Sequence, residues 1–261
     1  MKTAPLPFLS PRTLIAGAVL AIGQVLSRTN RILCRRETLA PMAALAFGSA
    51  VGLAVIFGRF LLTGRLSQGF LVWNLFLAWI PLGLALFADD EFRHGARRKW
   101  LLLGLAAGWL LFFPNSPYIF TDLTHLRFWF HNPFWVELTL ILLFAFTGLL
   151  VGFLSLYLMQ ALVAETCGRA AGWVFVLATT ALSSFGVYIG RFLRLNSWDV
   201  VLRPGRIFRT LDTWTQANMW NGHAVAFLLL FAAFLFVAYV MLHALTHLGS
   251  RTGSSLANQS R

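Results

Sequence analysis

The sequence predicts an all-α, polytopic membrane helix bundle with about six transmembrane helices, preceded by an N-terminal amphipathic helix. Two observations carry that prediction. Of the 261 residues, 58% are hydrophobic and only 11% charged, where a soluble domain carries roughly 25% charged residues. The mean hydropathy is +0.72, so such a chain lacks the polar surface to cover itself in water. The second observation is a series of apolar runs, most of them close to the ~20 residues that cross a hydrocarbon core.

The runs are Met42 to Leu62, Gly69 to Ala88, Trp100 to Phe113, Phe134 to about Val163, Gly172 to Gly190 and His223 to Leu245. Ahead of them, Leu14 to Leu26 is short for a span and is followed by Arg28, Arg31, Arg35 and Arg36. Ser10-Pro11 reads as a helix N-cap with proline at the first helical position. An amphipathic helix lying on the membrane surface fits this segment. A cleavable signal peptide is the rival, although a basic stretch stands where the small-residue cleavage site is expected. The expected organisation is a basic N-terminal segment over 1–41, a six-helix domain over 42–247 and a disordered tail over 248–261. No internal repeat emerges.

The formal net charge is +12. In a soluble chain that would suggest nucleic acid, but here the basic residues flank apolar spans, where they set topology and meet anionic lipid headgroups. Nucleic acid is therefore not an expected partner, and the lipid bilayer is. Thirteen of the 21 basic residues fall on the side of the termini, and eight on the other. The rule that cytoplasmic loops are the more basic puts both termini inside. Five of the eight, Arg191, Arg194, Arg203, Arg206 and Arg209, share one loop on the outer side. Arginines kept there against the rule suggest a purpose other than topology. Cys34 and Cys167 form neither a metal spacing nor a disulfide framework. No metal and no cofactor are expected, and the oligomeric state is not legible.

The third run ends in Pro114-Asn115-Ser116-Pro117. A helix from Trp100 to Phe113 spans about 21 Å at ~1.5 Å per residue, short of the ~30 Å core. The interruption therefore falls at membrane depth. Two readings are open. In one, Asn115 or Ser116 caps a new helix over about 117–130, whose free N–H groups and positive dipole end suit an anion or a carbonyl. In the other, proline merely kinks a continuing span. On a new α-helix, Tyr118, Asp122 and His125 share a face at i, i+4 and i+7. Asp122 and His125 are then candidates for catalysis as a base, although two ligands from one helix make no metal site, and His131 and His223 are not selected by spacing.

Gly190-Arg191-Phe-Leu-Arg194-Leu-Asn196-Ser197-Trp198-Asp199 is the second polar run. Arg191 and Arg194 at i, i+3 would present two guanidinium forks, suited to phosphate or carboxylate. Asp199 pairing with one of them, or arginines snorkelling beside an interfacial tryptophan, are the plainer readings. Arg59, Asn74 and Glu137 stand at the ends of other spans on the same face. Buried ionisable residues in a membrane call for partners, and the expected pairs are Glu137 with Arg191 or Arg194, and Arg59 with Asp122. Pro81 reads as packing. The stretch with Pro204-Gly205, Ile207, Phe208, Leu211, Trp214 and Trp220 reads as an amphipathic surface helix able to cover the polar face. No nucleophile elbow, metalloprotease motif or phosphate loop is present.

Pro114-Asn115-Ser-Pro117-Tyr118-Ile-Phe-Thr121-Asp122-Leu-Thr-His125, followed by Gly190-Arg191-Phe-Leu-Arg194-Leu-Asn196-Ser-Trp198-Asp199, resembles a family of bacterial multi-pass membrane proteins, the domain of unknown function family 1361. The resemblance extends from about Gly69 to Leu245 and takes in Asn74 to Pro81. It implies a membrane protein of bacterial origin and carries no activity.

The reading that unites these features is a polar pocket on the extracytoplasmic side of a bacterial plasma membrane. Asn115, Tyr118, Asp122 and His125 form one wall, and Arg191, Arg194, Asn196, Trp198 and Asp199 the other, with Asn74 and Glu137 beside them. Its expected ligand is an anionic or lipid-linked small molecule. A transporter built on the broken third helix, and a structural protein using the same residues as salt bridges, are the alternatives.

Overall fold

The computed structural model describes residues 36–64, 68–93, 99–128, 134–197, 199–218 and 222–259. The N-terminal amphipathic segment, Trp198, His131, Trp220 and the side chain of His125 lie outside the described residues. By contacts the chain forms two units, Met1–Phe47 and Gly48–Arg261. The described part of the first is the opening of helix α1.

The elements are α1 (Arg36–Thr63), α2 (Gly69–Arg93), α3 (Lys99–Phe112), α4 (Asn115–Tyr118) and a 3-10 segment (Ile119–Phe128). There follow α5 (Phe134–Cys167), α6 (Arg169–Tyr188), a π turn (Ile189–Leu193), α7 (Asp199–Leu202), α8 (Pro204–Asn218) and α9 (Gly222–Gln259). Among the described residues there is no strand. Among the described residues six segments are long and apolar enough to cross a membrane, from Leu39–Thr63 to Gly222–Thr246. The expected class and span number therefore hold. Helix α9 runs to Gln259, through the segment expected as a disordered tail. Extending an established helix is cheap, because nucleation is the costly step.

Helix α5 is the axis of the bundle. At 34 residues it is about 51 Å long at ~1.5 Å per residue, well beyond the ~30 Å core. Its buried face carries Phe144, Ala145, Leu149, Phe153, Leu156 and Met159. Two apolar clusters form against it. One gathers Trp109, Phe113, Phe153, Val176, Leu235 and Tyr239; the other gathers Ile56, Leu71, Leu75, Ile119, Ile141 and Phe144. Lipid is as apolar as leucine, so close packing and internal hydrogen bonds, rather than water exclusion, must hold such helices together. Trp109 supplies one such bond, donating Nε1–H to Ser155 Oγ at 3.1 Å. The Tyr239 hydroxyl donates to Gln160 Oε1, and Ser184 Oγ donates to the Leu228 carbonyl at 2.8 Å.

The third span is where sequence and structure part. Pro114 has helical dihedrals, φ −59° and ψ −21°, and no side chain caps α4. Ser116 N–H donates to the Phe113 carbonyl and Tyr118 N–H to the Pro114 carbonyl, each at 3.1 Å. The new α-helix with a free N-terminus is therefore replaced by a tightened turn that carries the span onward. Asn115 bonds backward instead, donating Nδ2–H to the Phe112 carbonyl at 2.9 Å, one of the carbonyls left open at the end of α3. Beyond Tyr118 the chain winds as a 3-10 helix, and Thr121 and Thr124 donate their hydroxyls three residues back, to the Tyr118 and Thr121 carbonyls.

This bent segment is gripped by glycines. A Cβ on Gly152 would stand 2.6 Å from Ser116 Cβ, and one on Gly148 would stand 2.7 Å from Ile119 Cδ1 and 3.1 Å from the Ser116 carbonyl oxygen. From α6 and the π turn, a Cβ on Gly186 would stand 2.6 Å from Pro114 Cγ, and one on Gly190 3.2 Å from Tyr118 Cε2. Both pairs have the G-x-x-x-G spacing that lets membrane helices approach closely. Ser116 Oγ then donates to the Ala78 carbonyl of α2 at 3.1 Å.

Gly186→Ala should overpack this grip and destabilise the protein by about 1–3 kcal/mol. Gly83→Ala meets open space and should be neutral or gain up to about 1 kcal/mol from helix propensity. Unfolding in mixed micelles with rising SDS separates the two.

Candidate functional site

Beside Pro114 lies a cleft of about 490 Å³ between α2, α3, α4, α6 and the loop after the π turn. Its apolar walls include Leu77, Ala107, Leu111 and Phe185. Polar side chains collect at the end nearest the connecting segments: Asn74, Asn115, Tyr118, Asn196 and Ser197. Four apolar wall residues are also exposed, Ala107 together with Trp73 at 53%, Leu110 at 37% and Leu182 at 52%. Ile207 of α8 closes one side. That helix is held by Trp214, which donates Nε1–H to the Tyr188 hydroxyl at 3.3 Å and packs against Phe185 and Tyr188.

Four of the expected binding residues, Asn74, Asn115, Tyr118 and Asn196, thus meet in one cleft. The charged ones do not line it. Asp122 is 1% exposed and sits behind Asn74, which donates Nδ2–H to Asp122 Oδ2 at 2.9 Å. Arg191 reaches Asp122 Oδ1 at 3.3 Å through Nη1 and donates Nη2–H to Thr124 Oγ1. Glu137 is 2% exposed and lies 2.6 Å from Arg59 Nη1. That contact is close but not aligned as a hydrogen bond. Gln68 Nε2 is better placed, at 2.8 Å from both Glu137 oxygens.

The expected ion pairs are therefore exchanged. Arg191 serves Asp122 rather than Glu137, and Arg59 serves Glu137 rather than Asp122. The need for partners was legible, because each buried carboxylate requires one. The choice between partners depends on packing that spacing does not encode.

Two shared faces also dissolve. The 3-10 winding of 119–128 has about three residues per turn, so Tyr118 and Asp122 no longer lie on one face. Arg191 stands in the π turn, and Arg194 follows it in the left-handed region at φ 53°, its N–H bonded to the Ile189 carbonyl. The wide turn and the left-handed residue that ends it break the regular helical spacing of the two; Arg191 is paired and Arg194 is exposed. A non-glycine residue in this conformation costs of order 1–3 kcal/mol and recurs at functional sites. Asp199 pairs with no arginine among the described residues. It accepts the Asn196 N–H at Oδ2 (2.8 Å) while its own N–H returns to the Asn196 carbonyl (2.9 Å), which fixes the loop that carries Asn196 and Ser197.

Ser197 is the residue the sequence reading passed over: its Oγ accepts from Asn115 Nδ2 at 3.0 Å and ties the two polar motifs together. At the opposite end of the bundle, Asp89, Asp90 and Glu91 are buried, with Arg93 bonded to Asp89 at 2.7 Å and 3.8 Å from Glu165. Among the described residues no cluster of His, Cys, Asp and Glu has the makings of a metal site.

The two motifs that build the cleft are the ones that carry the family resemblance. A family model described as "Protein of unknown function (DUF1361)" matches residues 73–251. The chain belongs to this family. No curated protein and no solved structure matches it. For this DUF1361 member, the cleft geometry is therefore the main guide to function.

Removing either member of the Asp122–Arg191 pair should cost about 3 kcal/mol, the lower end for a buried pair, because the Arg191 side chain keeps 20% of its exposure. Asp122→Asn with Arg191→Met should lose less than the two single losses combined. A double-mutant cycle on SDS unfolding reads the coupling directly.

Proposed function

We propose that this protein works in a bacterial plasma membrane, with both termini cytoplasmic, and receives a lipid or lipid-linked small molecule in the cleft from the outer leaflet. The observation that carries this reading is the division of the cleft. Trp73, Ala107, Leu110 and Leu182 form an exposed apolar edge, while Asn74, Asn115, Tyr118, Asn196 and Ser197 gather at the end nearest the connecting segments. A molecule with one apolar and one polar part matches that division. The volume of about 490 Å³ falls in the range of small-molecule sites, roughly 300–1,000 Å³.

Asp122 and Arg191 act on the ligand indirectly in this reading. Asp122 is committed to Asn74 and Arg191, so it positions the amide that faces the cleft instead of serving as a base. The continuous backbone through Pro114 lends no support to transport by a broken helix. The exchanged ion pairs favour a structural duty for the charges themselves, which is compatible with binding in the cleft they surround.

Lipid retention after transfer from membranes to mild detergent tests the reading. The wild-type protein should keep about one tightly held lipid-like molecule per chain by native mass spectrometry. Ala107→Phe, at an exposed wall position, should abolish it without loss of thermal stability. Equal retention by both proteins counts against the cleft.

Orientation has its own test. Cys167 is exposed at the end of α5, on the side of the termini. In a Cys34→Ser background, a membrane-impermeant maleimide should label it in inside-out vesicles and not in intact cells; the reverse pattern inverts the topology.

A further inference from the structure

The headgroup chemistry of the cleft can be read from which ends of its amides are already in use. Asn74 turns Nδ2 to the Asp122 carboxylate, which it faces at 2.9 Å. Asn115 turns Nδ2 to the Phe112 carbonyl at 2.9 Å and to Ser197 Oγ at 3.0 Å. A carboxylate paired with arginine and a backbone carbonyl act as acceptors, so the chemistry fixes which end of each amide is nitrogen. Asn115 has only Oδ1 left, an acceptor, while Asn74 keeps Oδ1 and its second N–H. Among the described residues neither oxygen receives a hydrogen bond, and neither is among the buried atoms that lack a partner. Both therefore keep access to the space beside them. Tyr118 and Ser197 add hydroxyls that can donate or accept, and the Asn196 amide that also lines the cleft adds a donor end and an acceptor end.

Among the described residues no Arg, Lys, Asp or Glu lines the cleft. Phosphate, an acceptor throughout, would find neutral donors there but no cation among the described residues, and it would leave the two amide oxygens unmet. An ammonium would find acceptors but no carboxylate, because Asp122 is occupied by Arg191. An uncharged group rich in hydroxyls satisfies both conditions.

We infer that the cleft selects lipids whose headgroup is an uncharged hydrogen-bond donor, of the glycosyl or polyol kind, over phosphate-headed and ammonium-headed lipids. This rests on the cleft being a lipid-binding site, and it reverses the expectation of an anionic ligand.

The test uses the full chain in phosphatidylcholine nanodiscs doped equally with three lipids of identical acyl chains: a monoglucosyl diacylglycerol, a phosphatidic acid and a double-chain quaternary ammonium. Lipid retained on the protein after release is counted by native mass spectrometry. The glucosyl lipid should be retained about two- to tenfold over each of the others, the scale of one or two neutral hydrogen bonds. Asn115→Leu, which deletes one acceptor, should erase most of that preference. Preference for phosphatidic acid or for the ammonium lipid overturns the inference and leaves the cleft as a lipid site. So does equal retention of all three that falls together in Ala107→Phe. Retention no higher than in Ala107→Phe for every lipid removes the proposed function itself. The comparison among lipids on the wild-type protein stands even if Asn115→Leu fails to fold.

Discussion

The third span must take two prolines through membrane depth, and the structure around it answers that constraint. In hydrocarbon each unsatisfied backbone group costs several kcal/mol. Pro114 and Pro117 each remove a donor and strand a carbonyl. The chain responds by tightening: Ser116 and Tyr118 bond to carbonyls within the turn, and Asn115 returns its amide to Phe112. The turn is narrow and irregular, so its neighbours must approach closely. Gly148 and Gly152 on one side, with Gly186 and Gly190 on the other, permit that approach. The cleft lies where α3 ends at Phe112, between α2, α3 and α6.

The charges serve the same bend. Asp122 lies just past it and is almost wholly buried. An unpaired carboxylate there would be strongly destabilising, whereas a paired and hydrogen-bonded one is tolerable. Asn74 comes from α2 and Arg191 from the π turn after α6, so the three spans around the cleft are joined at one carboxylate. Glu137 plays the parallel part for α1 and α5 through Arg59 and Gln68. The π turn and the left-handed Arg194 accompany this pairing: a regular helical end would keep Arg191 and Arg194 on one face, whereas here that spacing is broken and Arg191 is paired.

Much of the fold was legible because membrane spans are written in composition. Apolar runs of span length need no tertiary information to identify, and all six appear. The polar end of the bundle was legible too, since Asn74, Asn115, Tyr118 and Asn196 do meet. The detail within it was not. Proline announces an interruption but does not say whether the chain restarts or tightens; here the helical ψ of Pro114 and the backward bond of Asn115 decide. Helical spacing predicts shared faces only for α-helices, and both polar motifs wind otherwise, as 3-10 and π. The glycine pairs at 148/152 and 186/190 were visible in the sequence as G-x-x-x-G, yet nothing local says that they grip the third span rather than another helix.

The sequence invites the view that an arginine-rich outer loop marks an anion site. Geometry divides the labour differently. Charges in a low-dielectric setting are costly and therefore pair with one another first, as Arg191 and Arg59 do. What is left to line the cleft is neutral: amide groups and hydroxyls. The pairing also matters for those groups. By holding Nδ2 of Asn74, Asp122 fixes the orientation of the amide, and the Phe112 carbonyl does the same for Asn115. The ionic network thus orients the amides of the cleft without entering it, so net charge on this face is a poor guide to the chemistry of the cleft lining.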